Sequence, residues 1–183
     1  MNKLSLLKYG IPSALLGALF STALSFIFTR DPLQVFIFDF TMLFIGLVIY
    51  VSLNSGFPKN ELDRFSLSVS NLLLGVCIAM LFFTHTKLYS LVTFSCLFLL
   101  LLSIEYLNKL RFMYRFYRAF SLAIVIYFIG LVVFSNTGIE VNPAQTMGLL
   151  IAVVPMEKGF FYLLILLISV YLFEFLKSKI TRG

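Results

Sequence analysis

The sequence contains no tryptophan, a single histidine and two cysteines, and only 12% of its 183 residues are charged. Each scarcity removes a class of function. One imidazole, His85, cannot anchor an ordinary zinc site, which takes three or four His, Cys or carboxylate ligands. Cys77 and Cys96 each sit inside a long apolar run. Thiols in such surroundings are inert packing residues, so they say nothing about a redox compartment. The chain also lacks a Gly-rich phosphate loop, a dinucleotide fingerprint and a nucleophile elbow. Chemistry borne by ATP, NAD, flavin or zinc is therefore not expected of it, and no cofactor or metal is implied.

What the chain has in abundance is apolar surface: 61% hydrophobic residues and a mean hydropathy of +1.03. A soluble domain holds roughly 45–50% apolar and about 25% charged residues. The surplus cannot be hidden in one water-soluble core, so the solvent for most of it must be lipid. A span needs about 17–25 apolar residues to cross the hydrocarbon layer. Six runs meet or approach that length, at 9–29, 33–53, 67–84, 88–104, 119–135 and 159–176. The expected fold class is an all-α polytopic helical bundle, built as a single integral membrane domain over residues 1–183. The first run is too long for a signal-peptide core and lacks a small-residue cleavage pattern. A shorter apolar piece at 144–154 is expected to form a half-helix or to extend the last span.

Orientation follows from the loop cations. With the amino terminus inside, Lys3, Lys8, Lys59, Arg64, Lys109, Arg111, Arg115, Arg118, Lys177, Lys179 and Arg182 are cytoplasmic. Arg30, Lys87 and Lys158 lie outside, and the two sets together are the 14 basic residues. Such a bias predicts both termini inside, in a cell membrane. It also accounts for the net charge of +6 without nucleic acid.

In the first span Ser13, Gly17, Ser21 and Ser25 recur every four residues. Small residues at this spacing let helix backbones approach closely in lipid. The stripe fits packing inside the bundle, or docking of a separate subunit or a second copy. The 22 Phe and 9 Tyr are mostly lipid-facing or interfacial material, although ring faces also stabilise cations.

Two of the eight acids stand out. Asp39 lies within span two, where a charge costs about 2.5–3.5 kcal/mol on insertion scales, so it is a functional candidate. Its structural alternative is a carboxyl that is protonated or paired with Arg30. Glu157 opens the last span after Pro155, where the missing proline N–H costs nothing and the helix dipole favours an anion. The expected topology puts both carboxyls at similar depth on the outer side, able together to hold or deliver a proton.

The stretch from Glu105 to Lys177 carries Phe112-Met113-Tyr114-Arg115-Phe116-Tyr117, then Asn142-Pro143-Ala144-Gln145-Thr146-Met147-Gly148. Further on come Val154-Pro155-Met156-Glu157-Lys158-Gly159-Phe160-Phe161-Tyr162 and Tyr171-Leu172-Phe173-Glu174. It resembles the small membrane-embedded lycopene cyclase family, whose motif is Pro-x-Glu-acid followed by an aromatic pair opening a helix. Here Lys158 stands where the second acid belongs, and no first-half copy of the motif is found. The resemblance implies acid-initiated ring closure of a linear polyene end, an isomerase reaction without net redox change. It implies Glu157 as acid or base, Phe160, Phe161 and Tyr162 as pocket wall, and Asn142 as a substrate contact. Asp39 is the expected partner of Glu157, from its place in the membrane. The implied partner is membrane lipid or a hydrophobic polyene. From the residues alone, a solute-binding membrane subunit of a transporter and a non-enzymatic scaffold remain alternatives.

Overall fold

The computed structural model describes residues 6–26, 28, 31–56, 65–107, 112–134, 145–151 and 154–181. After a π-helical turn at Leu6–Gly10 come α1 (Ile11–Ser25), α2 (Pro32–Gly56), α3 (Ser66–Phe83) and α4 (Leu88–Leu102). A second π-turn at Ser103–Leu107 precedes α5 (Met113–Val133), the two-residue strands β1 (Leu150–Ile151) and β2 (Val154–Pro155), and α6 (Glu157–Thr181). Among the described residues, six helices are long and apolar enough to cross a membrane. The chain is a polytopic membrane protein.

The architecture is a ring around a centre. α6 packs against α1, α2, α4 and α5, while α1 packs on α2, α2 on α5 and α3 on α4. α6 can take the centre because its run from Phe161 to Leu167 is apolar on every side and wholly buried, the pattern of an enclosed helix. α3 is the outlier, touching α5 only lightly. Its Leu72, Phe82 and Phe83 are exposed, as suits a lipid-facing helix.

Close approach is made at small residues. Ser13, Gly17, Ser21 and Ser25 are all buried among the chain's own helices. A Cβ on Gly17 would overlap Ser169 Oγ of α6 and sit 3.1 Å from Leu43 Cδ1 of α2. The stripe therefore lies against the chain's own α2 and α6 at Gly17. Hydroxyls inside the helices bond to carbonyls one turn back, as in Thr22 to Ala18 (2.8 Å), Thr84 to Met80 (2.6 Å) and Ser169 to Ile165 (2.9 Å). That settles each polar group within its own segment, as a hydrocarbon solvent demands.

The half-helix expected at 144–154 is a correction. Among its described residues, the segment ends in an antiparallel ladder pairing Leu150 with Pro155 and Ile151 with Val154. Gly148 takes φ 79°, a left-handed conformation that interrupts a helix. β-branched Ile151 and Val154 favour the extended chain that follows. Pro155 ends the strand and leads into α6, whose first turn needs no donor there.

A buried acid and cation cluster as the candidate site

The interior polar groups collect where the upstream ends of α2, α4 and α6 meet α1. Asp39, seven residues into α2, is 3% exposed. Ser21 of α1 donates a hydrogen bond to Asp39 Oδ2. Lys158 of α6, itself 4% exposed, interacts electrostatically with Asp39. Lys158 Nζ lies 5.9 Å from the centroid of the Tyr89 ring, a cation–π distance. Arg30, the partner considered from sequence, lies outside the described residues. Within them, Lys158 holds that role. A loop cation in the linear reading is an interior one here, because Lys158 lies in the first turn of the central helix α6.

Glu157 is one residue away but points elsewhere. It is fully buried. Its Oε1 accepts hydrogen bonds from Ser90 Oγ of α4 (3.0 Å) and from the Met147 backbone N–H. Its Oε2 has no hydrogen-bond partner among the described residues. A buried polar atom left so is costly unless it has a use. Asp39 and Glu157 share no hydrogen bond among the described residues. Both act electrostatically on Tyr89. The Tyr89 hydroxyl lies near Thr93 without a hydrogen bond of ordinary geometry.

The three aromatics that follow Glu157 fan out, because successive helical residues turn by about 100°. Phe160 meets Phe94 of α4, with centroids 5.0 Å apart. Phe161 meets Tyr89 at 5.8 Å, and Tyr162 stacks on Tyr127 of α5 at 4.1 Å and 8°. The Tyr162 hydroxyl donates to the Met42 carbonyl at 3.0 Å. Phe28 closes edge-on over Tyr89 at 5.3 Å. Phe161 and Tyr162 thus wall the cluster, whereas Phe160 looks the other way. Phe160 lines an apolar groove of about 210 Å³ with Leu73, Phe120, Ile124, Phe128, Ile151, Met156, Gly159 and Leu163. Asn142, the expected substrate contact, lies outside the described residues.

Residues 86–176 match the lycopene cyclase family model. The match spans about half the chain, beginning upstream of the stretch in which the resemblance was read. It takes in α4, α5, the hairpin and most of α6, and therefore Tyr89, Ser90, Glu157 and Lys158. α1 to α3 lie outside the lycopene cyclase segment, so Ser21 and Asp39 are contributed from beyond it. Neither curated proteins nor solved structures include a match to this chain.

Sequence reasoning missed Ser21, Tyr89, Ser90 and Lys158 as members of the site. Ser21 lay in the small-residue stripe and Tyr89 at a presumed interface. Only Lys158 carried a signal of its own, by replacing an acid in the family motif. No metal-holding group of His, Cys, Asp and Glu forms among the described residues.

Proposed function

We propose that the chain is a membrane-embedded isoprenoid cyclase that closes a ring at the end of a linear polyene, with no net redox change. The observation that carries this reading is Glu157. It is a fully buried carboxyl inside the segment matched by the lycopene cyclase family model, with one oxygen held by two donors and the other without a partner among the described residues. Such an arrangement fixes which oxygen carries the mobile proton. Ser90 and the Met147 N–H occupy Oε1, so Oε2 is free to present it.

The chemistry balances within the site. Glu157 adds its proton to a terminal double bond and leaves a carbocation. A neighbouring π bond attacks that carbon, forming the ring's C–C bond and moving the charge. Loss of a proton to Asp39 gives the new double bond, and the product is an isomer of the substrate. The faces of Tyr89, Phe161 and Tyr162 stabilise the cation in passing. Lys158 balances the anion on Asp39, and Tyr89, on which both carboxyls act electrostatically, is the group for the proton's return.

Glu157→Gln tests the reading, because its carbonyl keeps both bonds to Ser90 and Met147 while an amide neither gives nor takes a proton at neutral pH. The stability loss should be modest, about 0.3–1 kcal/mol from the helix-start charge. Expressed in cells that accumulate a linear polyene, the parent should form rings and Glu157→Gln none, at equal protein in the membrane. Absence of ring formation by the parent on every linear polyene tried would overturn the proposal.

A further inference from the structure

The short hairpin before α6 carries a surface that the six spans do not explain. Leu149, Leu150 and Ile151 are consecutive large apolar residues, 57%, 62% and 47% exposed. Successive residues of a strand point to opposite faces, so β1 is open on both of them. Val154 of β2 is only 6% exposed. β2 packs on α5 and α6, which leaves β1 on the outside of the hairpin. Three adjacent apolar side chains held out to water would be a liability, and such patches mark contact with a membrane or a partner.

The level of the hairpin decides between water and lipid. Ile151 shares a groove wall with Leu73, Phe120, Ile124 and Phe128, all residues of membrane-spanning helices. Phe128, the last of these along α5, stands five residues before the helix ends at Val133. At 1.5 Å per residue that is about 7 Å below the end of the span. An interfacial element sinks its apolar side about 5–10 Å into the boundary of headgroups and acyl chains. Beside Phe128 on α5, Ile129 and Val132 are 59% and 45% exposed, so lipid reaches the protein surface at this depth. Each strand has only two residues, so few backbone groups stay open at the edge.

We infer that β1 is an interfacial anchor, with Leu149, Leu150 and Ile151 seated among the acyl chains of one leaflet. The partner is the lipid surface itself, because the depth of Ile151 and the lipid-facing surface of α5 at that level both supply it. The anchor bears on the buried acid. The Leu149 carbonyl accepts from the Met156 N–H at 2.9 Å. Gly148 turns the chain at φ 79°, and the Met147 N–H donates to Glu157 Oε1. Seating β1 in lipid therefore holds in place the amide that fixes Glu157, whatever reaction that acid performs.

The absence of tryptophan makes the test direct, since any Trp introduced is the sole indole. Leu150→Trp reports on β1, and His85→Trp on the exposed turn between α3 and α4. Leu122→Trp reports on the middle of α5, at a residue that is 51% exposed. Each protein is reconstituted in nanodiscs whose lipids carry bromine either high on the acyl chains or near the chain ends. Leu150→Trp should be quenched more by the high bromines, Leu122→Trp more by the low ones, and His85→Trp least by either. Acrylamide in the water should quench Leu150→Trp about threefold less than His85→Trp, or weaker still. Leu150→Trp quenched by acrylamide as strongly as His85→Trp, or by no reagent, overturns the anchor, because β1 then faces water or another protein. Hydrogen exchange in unbrominated discs reads the link to Glu157. Leu150→Asp, harmless on a water-facing strand, should expel β1 and speed exchange of the Met147 amide by about tenfold or more. If that variant does not accumulate, Leu149→Ser with Leu150→Ser makes the same test more gently. Unchanged exchange at Met147 overturns the link between anchor and acid.

Discussion

Replacing Asp39 with Asn removes a charge from the interior yet keeps an oxygen for the Ser21 hydroxyl to bond. Lys158 is then left in a nearly closed site (4% exposed) without the carboxylate that balances it. Breaking a buried pair by removing one member costs about 3–5 kcal/mol, most of it from the charge left behind. Lys158→Met should cost a similar amount by stranding Asp39. The double substitution strands nothing, and replacing a buried pair by uncharged groups of similar volume is commonly neutral. Asp39→Asn with Lys158→Met should therefore lie within about 1 kcal/mol of the parent, and since the two single costs sum to about 6–10 kcal/mol the coupling should be about 5 kcal/mol or more. Unfolding in mixed detergent and dodecyl sulfate micelles, followed by helical circular dichroism, measures all four proteins. Single effects that add to within about 0.5 kcal/mol would refute the pairing. The same four proteins separate structure from chemistry. If Asp39 accepts the proton, the double variant regains stability and not ring formation.

Gly17→Ala should destabilise by about 1–3 kcal/mol through overpacking against Ser169 Oγ, and Ser169→Ala should relieve it. Equal penalties with and without that relief, read by the same unfolding titration, would show that the contact does not limit α1. Tyr50→Phe removes the 2.8 Å bond to Glu174 at the other end of the bundle and should cost about 1 kcal/mol, with ring formation unchanged. In a background of Cys77→Ser and Cys96→Ser, His85→Cys should react with an impermeant maleimide in intact cells. Ser178→Cys should react only after lysis, and the reverse pattern would invert the proposed orientation.

The spans were legible because run length in a membrane protein is a direct physical measure, and runs at 33–53, 67–84 and 88–104 lie within a few residues of α2, α3 and α4. α5 begins six residues earlier than its apolar run. Arg115 and Arg118 read as a polar break, but the helix carries them, and Arg115 Nε donates to the Tyr114 hydroxyl at 2.6 Å. The extended hairpin was hidden because a short apolar run has no period to distinguish strand from helix. Of the site, Asp39 and Glu157 were legible one at a time, each from its own surroundings. The pairing of Asp39 with Lys158 was not, since it joins residues more than a hundred positions apart on two helices. That both Phe160 and Phe161 find aromatic partners on α4 follows from α6 lying at the centre, which no local pattern announces.

That central position also sets an order of assembly. During synthesis α1 to α5 emerge into the membrane before the helix around which they are arranged. Until then the small-residue face of α1 has no Ser169 to meet, Asp39 has no Lys158, and Ser90 has no Glu157. Insertion of α6 therefore supplies the apolar filling of the bundle and the cation beside Asp39 together.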